Sequence, residues 1–281
     1  MTQTSELRVQ DLRAQDLRPN DLRNRWALVT GASAGIGTAV ARDLAARGVN
    51  LILTARRRER LEALAAEFRG KGIDTRIVVA DLNDPAAPQQ IYDATEGAGL
   101  AVDILINNAG FGQYGAFETG NIDQELGMVR VNCEAVVHLA RLFVPRMIER
   151  RRGWMLVVAS TASFQPIPYN TTYAATKAFD RFFALALADE VERYNVKITA
   201  LCPGPTETEF FDVAGGSGVF RRFGVQAADD VARKGVDALV RGKRTIVPNG
   251  KGAFTAFLVR FIPTGTITRT LEKALRPKGR E

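Results

Sequence analysis

From Trp26 onward, short apolar runs alternate with longer segments of helical spacing, and this alternation restricts the fold more than any other property of the chain. Residues 26–30, 49–54, 77–80, 104–106, 155–159 and 197–201 read as strands. Residues 38–47, 59–68, 122–150 and 174–194 read as helices between them. Strands separated by helices pair in parallel, and a parallel sheet has to be covered on both faces. Right-handed crossovers then give a Rossmann-like doubly wound α/β fold, with ligands at the carboxyl ends of the strands.

A length of 281 residues suits one such domain, read here as residues 26–250. Residues 1–25 read as a mobile N-terminal extension with D-L-R recurring at Asp11, Asp16 and Asp21, and residues 251–281 as a basic amphipathic tail. Charge matters only by its location. Nine of the lysines and arginines, against two acids, lie from Lys243 onward, and the rest of the chain balances at 29 of each. A basic tail is not a nucleic-acid recognition face, so no nucleic-acid partner is expected. No run approaches the roughly 18 apolar residues of a membrane span, and the polar start carries no secretion signal, so a cytoplasmic location is expected. Cys133 and Cys202 lack metal-ligand spacing and read as buried thiols. The single histidine, His138, sits in a helical run and reads as structural, which excludes a His-based metal site or triad.

The first strand runs into Thr30-Gly31-Ala32-Ser33-Ala34-Gly35-Ile36-Gly37, and a helix follows. Glycines at this junction let the backbone approach a pyrophosphate, and the helix start offers free N–H donors. The second strand ends Leu53-Thr54-Ala55-Arg56-Arg57-Arg58, with alanine where an acid would hold the ribose of NAD. Arg56, nearest the strand end, can instead hold a 2′-phosphate, which points to NADP(H). Asp81, ending the third strand, is placed toward the adenine, and Asn107-Asn108-Ala109-Gly110, after the fourth, toward the adenosine side.

Tyr173 and Lys177, four apart, share one helix face. An ammonium beside a phenol favours the phenolate and lowers the tyrosine pKa toward working pH, as a general acid/base requires. Ser160, thirteen residues earlier at the end of a predicted strand, would lie at the same sheet edge, with Ser163 as its rival.

Taken together, these residues resemble the short-chain dehydrogenases/reductases. The likeness covers about residues 26–247 and includes T-G-A-S-A-G-I-G, A-R-R, D-L at Asp81-Leu82, N-N-A-G, V-N at Val131-Asn132, S-T-A-S, Y-A-A-T-K and C-P-G-P-T-E-T. Several motifs in order make it specific. The resemblance implies that Tyr173 gives a proton to a carbonyl while Ser160 hydrogen-bonds the same oxygen. It implies that Lys177 binds the nicotinamide ribose, and that Asn132 holds a water relaying protons to it. Ser33, Ile36 and Leu82 join the cofactor site, and Pro203, Gly204, Thr206 and Thr208 lie along the nicotinamide half. Ala34 departs from relatives with a serine or basic residue in the loop, which leaves Arg56 to carry the preference for NADP.

Segments 111–117, 164–169 and 210–223 should wall the substrate pocket, and their Phe and Tyr side chains suggest an apolar carbonyl or alcohol compound, with Gly215 to Gly218 as a mobile lid. Phe254, Phe257, Leu258 and Phe261 recur on one helical face. Packing on its own subunit or a neighbour is the expectation for this stripe, and contact with a membrane surface is the alternative. Relatives of this kind associate as homodimers or homotetramers. Two functions remain, an oxidoreductase or a non-catalytic dinucleotide-binding sensor or scaffold. All four catalytic positions hold competent residues, which favours the first.

Overall fold

The computed structural model describes residues 21–210, 214 and 224–277. Its centre is a seven-stranded parallel sheet in the order β3-β2-β1-β4-β5-β6-β7. The strands are β1 (Trp26–Thr30), β2 (Asn50–Ala55), β3 (Thr75–Val79), β4 (Val102–Asn107), β5 (Gly153–Val158), β6 (Val196–Leu201) and β7 (Thr245–Ile246). One face is covered by α1 (Gly35–Ala46), α2 (Arg58–Arg69) and, from late in the chain, α7 (Ala228–Val240). The other is covered by α3 (Ala87–Asp93), α5 (Ala135–Glu149) and α6 (Thr171–Val191). The central strands are apolar on both faces because both are buried: Ala27, Val29, Leu51 and Leu53 face one helical layer, and Leu28, Ile52 and Leu105 the other. After β3 the chain crosses over to β4, on the far side of β1. Connections therefore leave β1 and β4 in opposite directions, and a crevice opens between them at the carboxyl edge of the sheet.

The long helical region expected at 122–150 is divided. Helix α4 (Ile122–Val129) passes through a π turn at Arg130–Glu134 before α5 begins. The extra residue in that turn rotates the chain and places Asn132 fully inside. Three elements lie outside the sequence-based expectation, α3, α7 and the two-residue β7. Val231, Val236 and Leu239 of α7 pack into the core, and a Cβ on Gly235 would sit 2.8 Å from Leu201.

The boundaries of the domain also differ from those expected. Leu22 and Arg25 are buried, and Arg25 donates to Asp103 at 3.2 Å, so residues 21–25 belong to the fold. The remainder of the N-terminal extension lies outside the described residues. At the other end, α8 (Gly250–Leu258) and α9 (Thr264–Leu275) fold back on the domain. The Tyr169 hydroxyl donates to Glu272 at 2.7 Å, and the Tyr114 hydroxyl donates to the carbonyl of Leu275. Among the described residues the apolar stripe stays largely uncovered by its own subunit: Phe254 is 63% exposed and Phe261 71%.

Candidate active site

At the carboxyl end of β1 the chain turns through Gly31 and Gly35, both at positive φ (64° and 55°). Glycine adopts this backbone without the clash a side chain would meet. The turn is pinned from β4. Asn108 donates from Nδ2 to the Thr30 carbonyl at 2.8 Å, and the amides of Asn108 and Ala109 donate to the Thr30 hydroxyl at 2.9 and 3.0 Å. Helix α1 starts at Gly35 with Ala34 as its cap residue, which offers no side-chain acceptor to the first amides. Those amides, with the positive end of the helix dipole, form a cradle for a phosphate. A side chain on Gly31 or Gly35 would fill it, since its Cβ would lie 2.8 Å from Asn108 or Thr208 respectively. The residues present therefore fit a dinucleotide.

Beside the loop, the structure brings a different arginine forward from the one the sequence singles out. Arg56 is 76% exposed and lies 4.0 Å from Asp81. Arg57 instead reaches over the loop, donating to the Ser33 hydroxyl at 3.3 Å and to Glu209 at 2.9 Å, and Glu209 also accepts from Arg60 at 2.6 Å. The two arginines hold the Glu209 carboxyl below its ordinary range. Asp81 is exposed next to partly buried Leu82, and its carboxylate accepts from the Asn83 amide. The adjacent asparagines part company. The Asn107 side chain is buried and directed toward the Val136 carbonyl and Met155, away from the loop that Asn108 pins. Successive strand residues point to opposite faces, and β4 ends with Asn107 on the α5 side.

The catalytic candidates converge between β5, α6 and the π turn. Tyr173 and Lys177 occupy one face of α6, with the ammonium 5.9 Å from the phenol ring centroid. Lys177 is buried and donates to the Val158 carbonyl of β5 at 2.8 Å and to Asp180 at 2.9 Å. Burial opposes its charge, yet Asp180 and Tyr173 outweigh that effect and hold the ammonium above its ordinary range. For the Tyr173 phenol, burial is the largest influence and pushes the pKa up. The Lys177 charge and a hydrogen bond with Ser160 pull it back without reversing the shift. The expected depression is thus present as a contribution, but the net direction is upward. Ser160 lies two residues past the end of β5, capping the short 3-10 turn that follows, and accepts from the Ala162 amide at 3.1 Å. Its rival Ser163 is buried against Cys202 at 3.9 Å, so Ser160 is the serine beside the phenol. Asn132 accepts from the Phe111 amide (3.1 Å) and donates to the Phe111 carbonyl and to Thr176 (3.0 Å each). A Cβ on Gly110 would meet both Asn132 and Lys177, at 3.0 and 3.4 Å, so these three positions adjoin.

Pro203 and Gly204 follow β6, and the Pro203 carbonyl accepts from the Thr161 amide at 2.8 Å, which ties this turn to the Ser160 segment. Thr206 and Thr208 continue along the same wall, and Gly204 faces the amide of Gln226, whose two polar side-chain atoms are buried without a partner. Sequence reading missed Gln226 and Asp180, and it singled out Arg56 where the structure brings Arg57 to the loop. Only Asp180 carried a local signal, because 173, 177 and 180 follow helix-face spacing. On the substrate side, Phe210 packs 5.3 Å from the Tyr173 ring. A small cavity lined by Gln113, Gly115, Ala116, Phe117, Glu125, Tyr169 and Thr171 lies among two of the expected wall segments, but Ser160, Tyr173 and Lys177 do not line it. The glycines of the expected lid, and residues 215–223 in general, lie outside the described residues. Both cysteines are free, and burial raises their thiols to about 12 (Cys133) and about 11 (Cys202). No cluster of metal-ligating side chains occurs among the described residues.

Comparison with known proteins gives one consistent family. A family model described as short chain dehydrogenase matches residues 25–215. The chain is 30% identical over 257 residues to a very-long-chain 3-oxoacyl-CoA reductase of Anas platyrhynchos, covering 88% of this chain and 79% of that protein. It is 34% identical over 186 residues to very-long-chain 3-oxoacyl-CoA reductase-B of Danio rerio, covering 64% of this chain and 58% of that one, so here it spans a little over half of the relative. Among solved structures it is similar to a short-chain dehydrogenase from Sphingobium yanoikuyae in complex with NADPH. That likeness has a TM-score of 0.78 and 28% identity, and covers 92% of this chain and 98% of the other.

Proposed function

The chain belongs to the short-chain dehydrogenase family, dinucleotide-dependent oxidoreductases of CH–OH and carbonyl groups, and from that premise we propose that it exchanges a hydride between NADP(H) and the carbonyl or alcohol carbon of an apolar small molecule, with Tyr173 as general acid/base. One observation carries this reading: Tyr173, Lys177 and Ser160 come together from α6 and the turn after β5. Bound nicotinamide supplies or accepts the hydride. The chain's own part is to hold the carbonyl oxygen between the Ser160 and Tyr173 hydroxyls and to move a proton at the phenol. An upward-shifted phenol is protonated at neutral pH, the form that carbonyl reduction consumes. Lys177 would hold the nicotinamide ribose, Gly31 to Gly37 the pyrophosphate, and Pro203 to Thr208 the nicotinamide side. Asn132, fixed in the π turn, would support a proton path toward Lys177.

The preference for NADP rests on the alanine at the end of β2 and on the cations beside Ser33. Arg57 is the foremost candidate for the 2′-phosphate, with Arg56 beside it. The apolar substrate rests on Phe210 against Tyr173. A sensor or scaffold role is disfavoured because the buried Lys177 and its partners are costly to keep where no chemistry uses them. We place the enzyme in the cytoplasm as a homodimer or homotetramer. Exposed Ile122, Leu126, Val129, Phe179 and Phe182 on α4 to α6 support a subunit contact. The exposed tail stripe, flanked by exposed Lys251, Arg260 and Arg269, supports weak contact with an anionic membrane surface. The deciding experiment is a panel of ketones and alcohols with NADPH, NADP and their non-phosphorylated counterparts. Tyr173→Phe should bind cofactor normally and lose nearly all turnover. Near-wild-type turnover in that variant would overturn the assignment.

A further inference from the structure

Asp180 has no place in the reading above, yet it occupies the same helix face as Tyr173 and Lys177, one turn further along. It is 1% exposed, and its Oδ2 accepts from the Lys177 ammonium at 2.9 Å. Its Oδ1 is buried without a hydrogen-bond partner. A carboxylate in such a place is costly, and an apolar side chain of similar size would pack there at least as well. Stability therefore does not explain the residue, and the electrostatics of the pair it touches do.

The surroundings leave Asp180 with clear influence. Lys177 is held by two groups, the Val158 carbonyl and the Asp180 carboxylate. The titratable neighbours on other elements are Cys133, from the π turn, and Cys202, after β6. Burial keeps both as neutral thiols at working pH. The charge that Tyr173 senses is thus set by Lys177 and Asp180, of opposite sign. Burial lifts the Asp180 carboxyl to about 6, with Lys177 opposing the rise, so the group is ionised at neutral pH.

We propose that Asp180 is a positioning residue for the Tyr173/Lys177 pair: its carboxylate anchors the ammonium against β5 and cancels part of the positive charge that would otherwise draw the proton from the phenol. The inference rests on the reading of Tyr173 as the acid/base. With the carboxylate present, the phenol keeps its proton to higher pH, which suits donation to a carbonyl. Without it, the ammonium acts on the phenol undiluted.

The test is Asp180→Asn in the full chain, read in two ways. An ultraviolet difference titration of phenolate, with Tyr173→Phe subtracted, isolates Tyr173 among the tyrosines and needs no substrate. Its midpoint should fall by about one pH unit in Asp180→Asn, and the pH profile of kcat for alcohol oxidation should move the same way. Asp180→Glu should return most of the shift. Asp180→Leu, which fills the site without charge, should shift the midpoint like Asp180→Asn and serves if the amide variant does not fold. A midpoint that stays in place or rises would overturn the proposal: in the first case Asp180 is structural, in the second its work is to keep the buried Lys177 charged. Turnover retained by Tyr173→Phe would instead refute the acid/base reading, while the phenolate midpoint would still report whether Asp180 acts on Tyr173.

Discussion

Substituting alanine at Gly37 tests whether the β1–α1 loop is built as tightly as its contacts indicate. An added Cβ would lie 2.5 Å from Nδ2 of Asn108 and closer still to the carbonyl oxygen of Gly31. Carbon atoms do not approach so near, so loop and helix must part by at least about half an ångström. Neither neighbour can give way cheaply. One is backbone in a positive-φ turn, and the other is a side chain fixed to the Thr30 carbonyl at 2.8 Å. Overpacking of this kind costs about 1–3 kcal/mol, and loss of the Asn108 bond adds about 1 kcal/mol. Because the strain falls on the cradle that would hold the pyrophosphate, affinity for NADPH should drop by about tenfold to a hundredfold or more. Fluorescence titration with NADPH measures this, and urea unfolding reports the stability change on the same samples. Gly250→Ala is the matched control. Nothing lies within 4 Å of its added Cβ, so binding should be unchanged and stability equal or slightly higher. A folded Gly37→Ala protein that binds NADPH as tightly as the wild type would refute the close-packed cradle.

Two further expectations concern the charged and apolar surfaces. Arg57→Ala should weaken NADPH by about tenfold or more while changing NADH little, and Arg56→Ala should have the smaller effect, as calorimetric titration of both cofactors would show. An unchanged NADPH-to-NADH ratio in Arg57→Ala would return the assignment to Arg56. The triple variant Phe254→Ser, Phe257→Ser and Phe261→Ser should lose binding to anionic vesicles in sedimentation without losing the fold, and added salt should weaken wild-type binding. A change of oligomer in size-exclusion chromatography, with vesicle binding absent from the start, would show that a second subunit covers the stripe.

The alternation of apolar runs and amphipathic segments by itself determined a parallel sheet with helices on both faces, because burial on two sides demands that pattern in any environment. The glycine turn after β1 and the Tyr173/Lys177 spacing were legible for the same reason: backbone freedom and helix periodicity are local properties. What the sequence left open is where side chains at the ends of elements point. Asn107 and Asn108 are chemically identical neighbours, and only the register of β4 sends one into the core and the other to the Thr30 turn. Arg56 and Arg57 divide in the same way. Glu209, brought across from the segment after β6, draws Arg57 over Ser33, a partnership spanning 152 residues that no local pattern encodes. Arg25 and Leu22 look like part of a polar extension until Asp103 and the core of the sheet receive them. The tail stripe has the period of a packed helix, yet its phenylalanines face outward because α8 and α9 meet the domain through Ala256, Leu275 and the Tyr114 and Tyr169 hydroxyls. Periodicity states that a helix has an apolar side; which surface meets that side depends on distances between parts of the chain far apart in sequence, and these exist only once the sheet has been assembled.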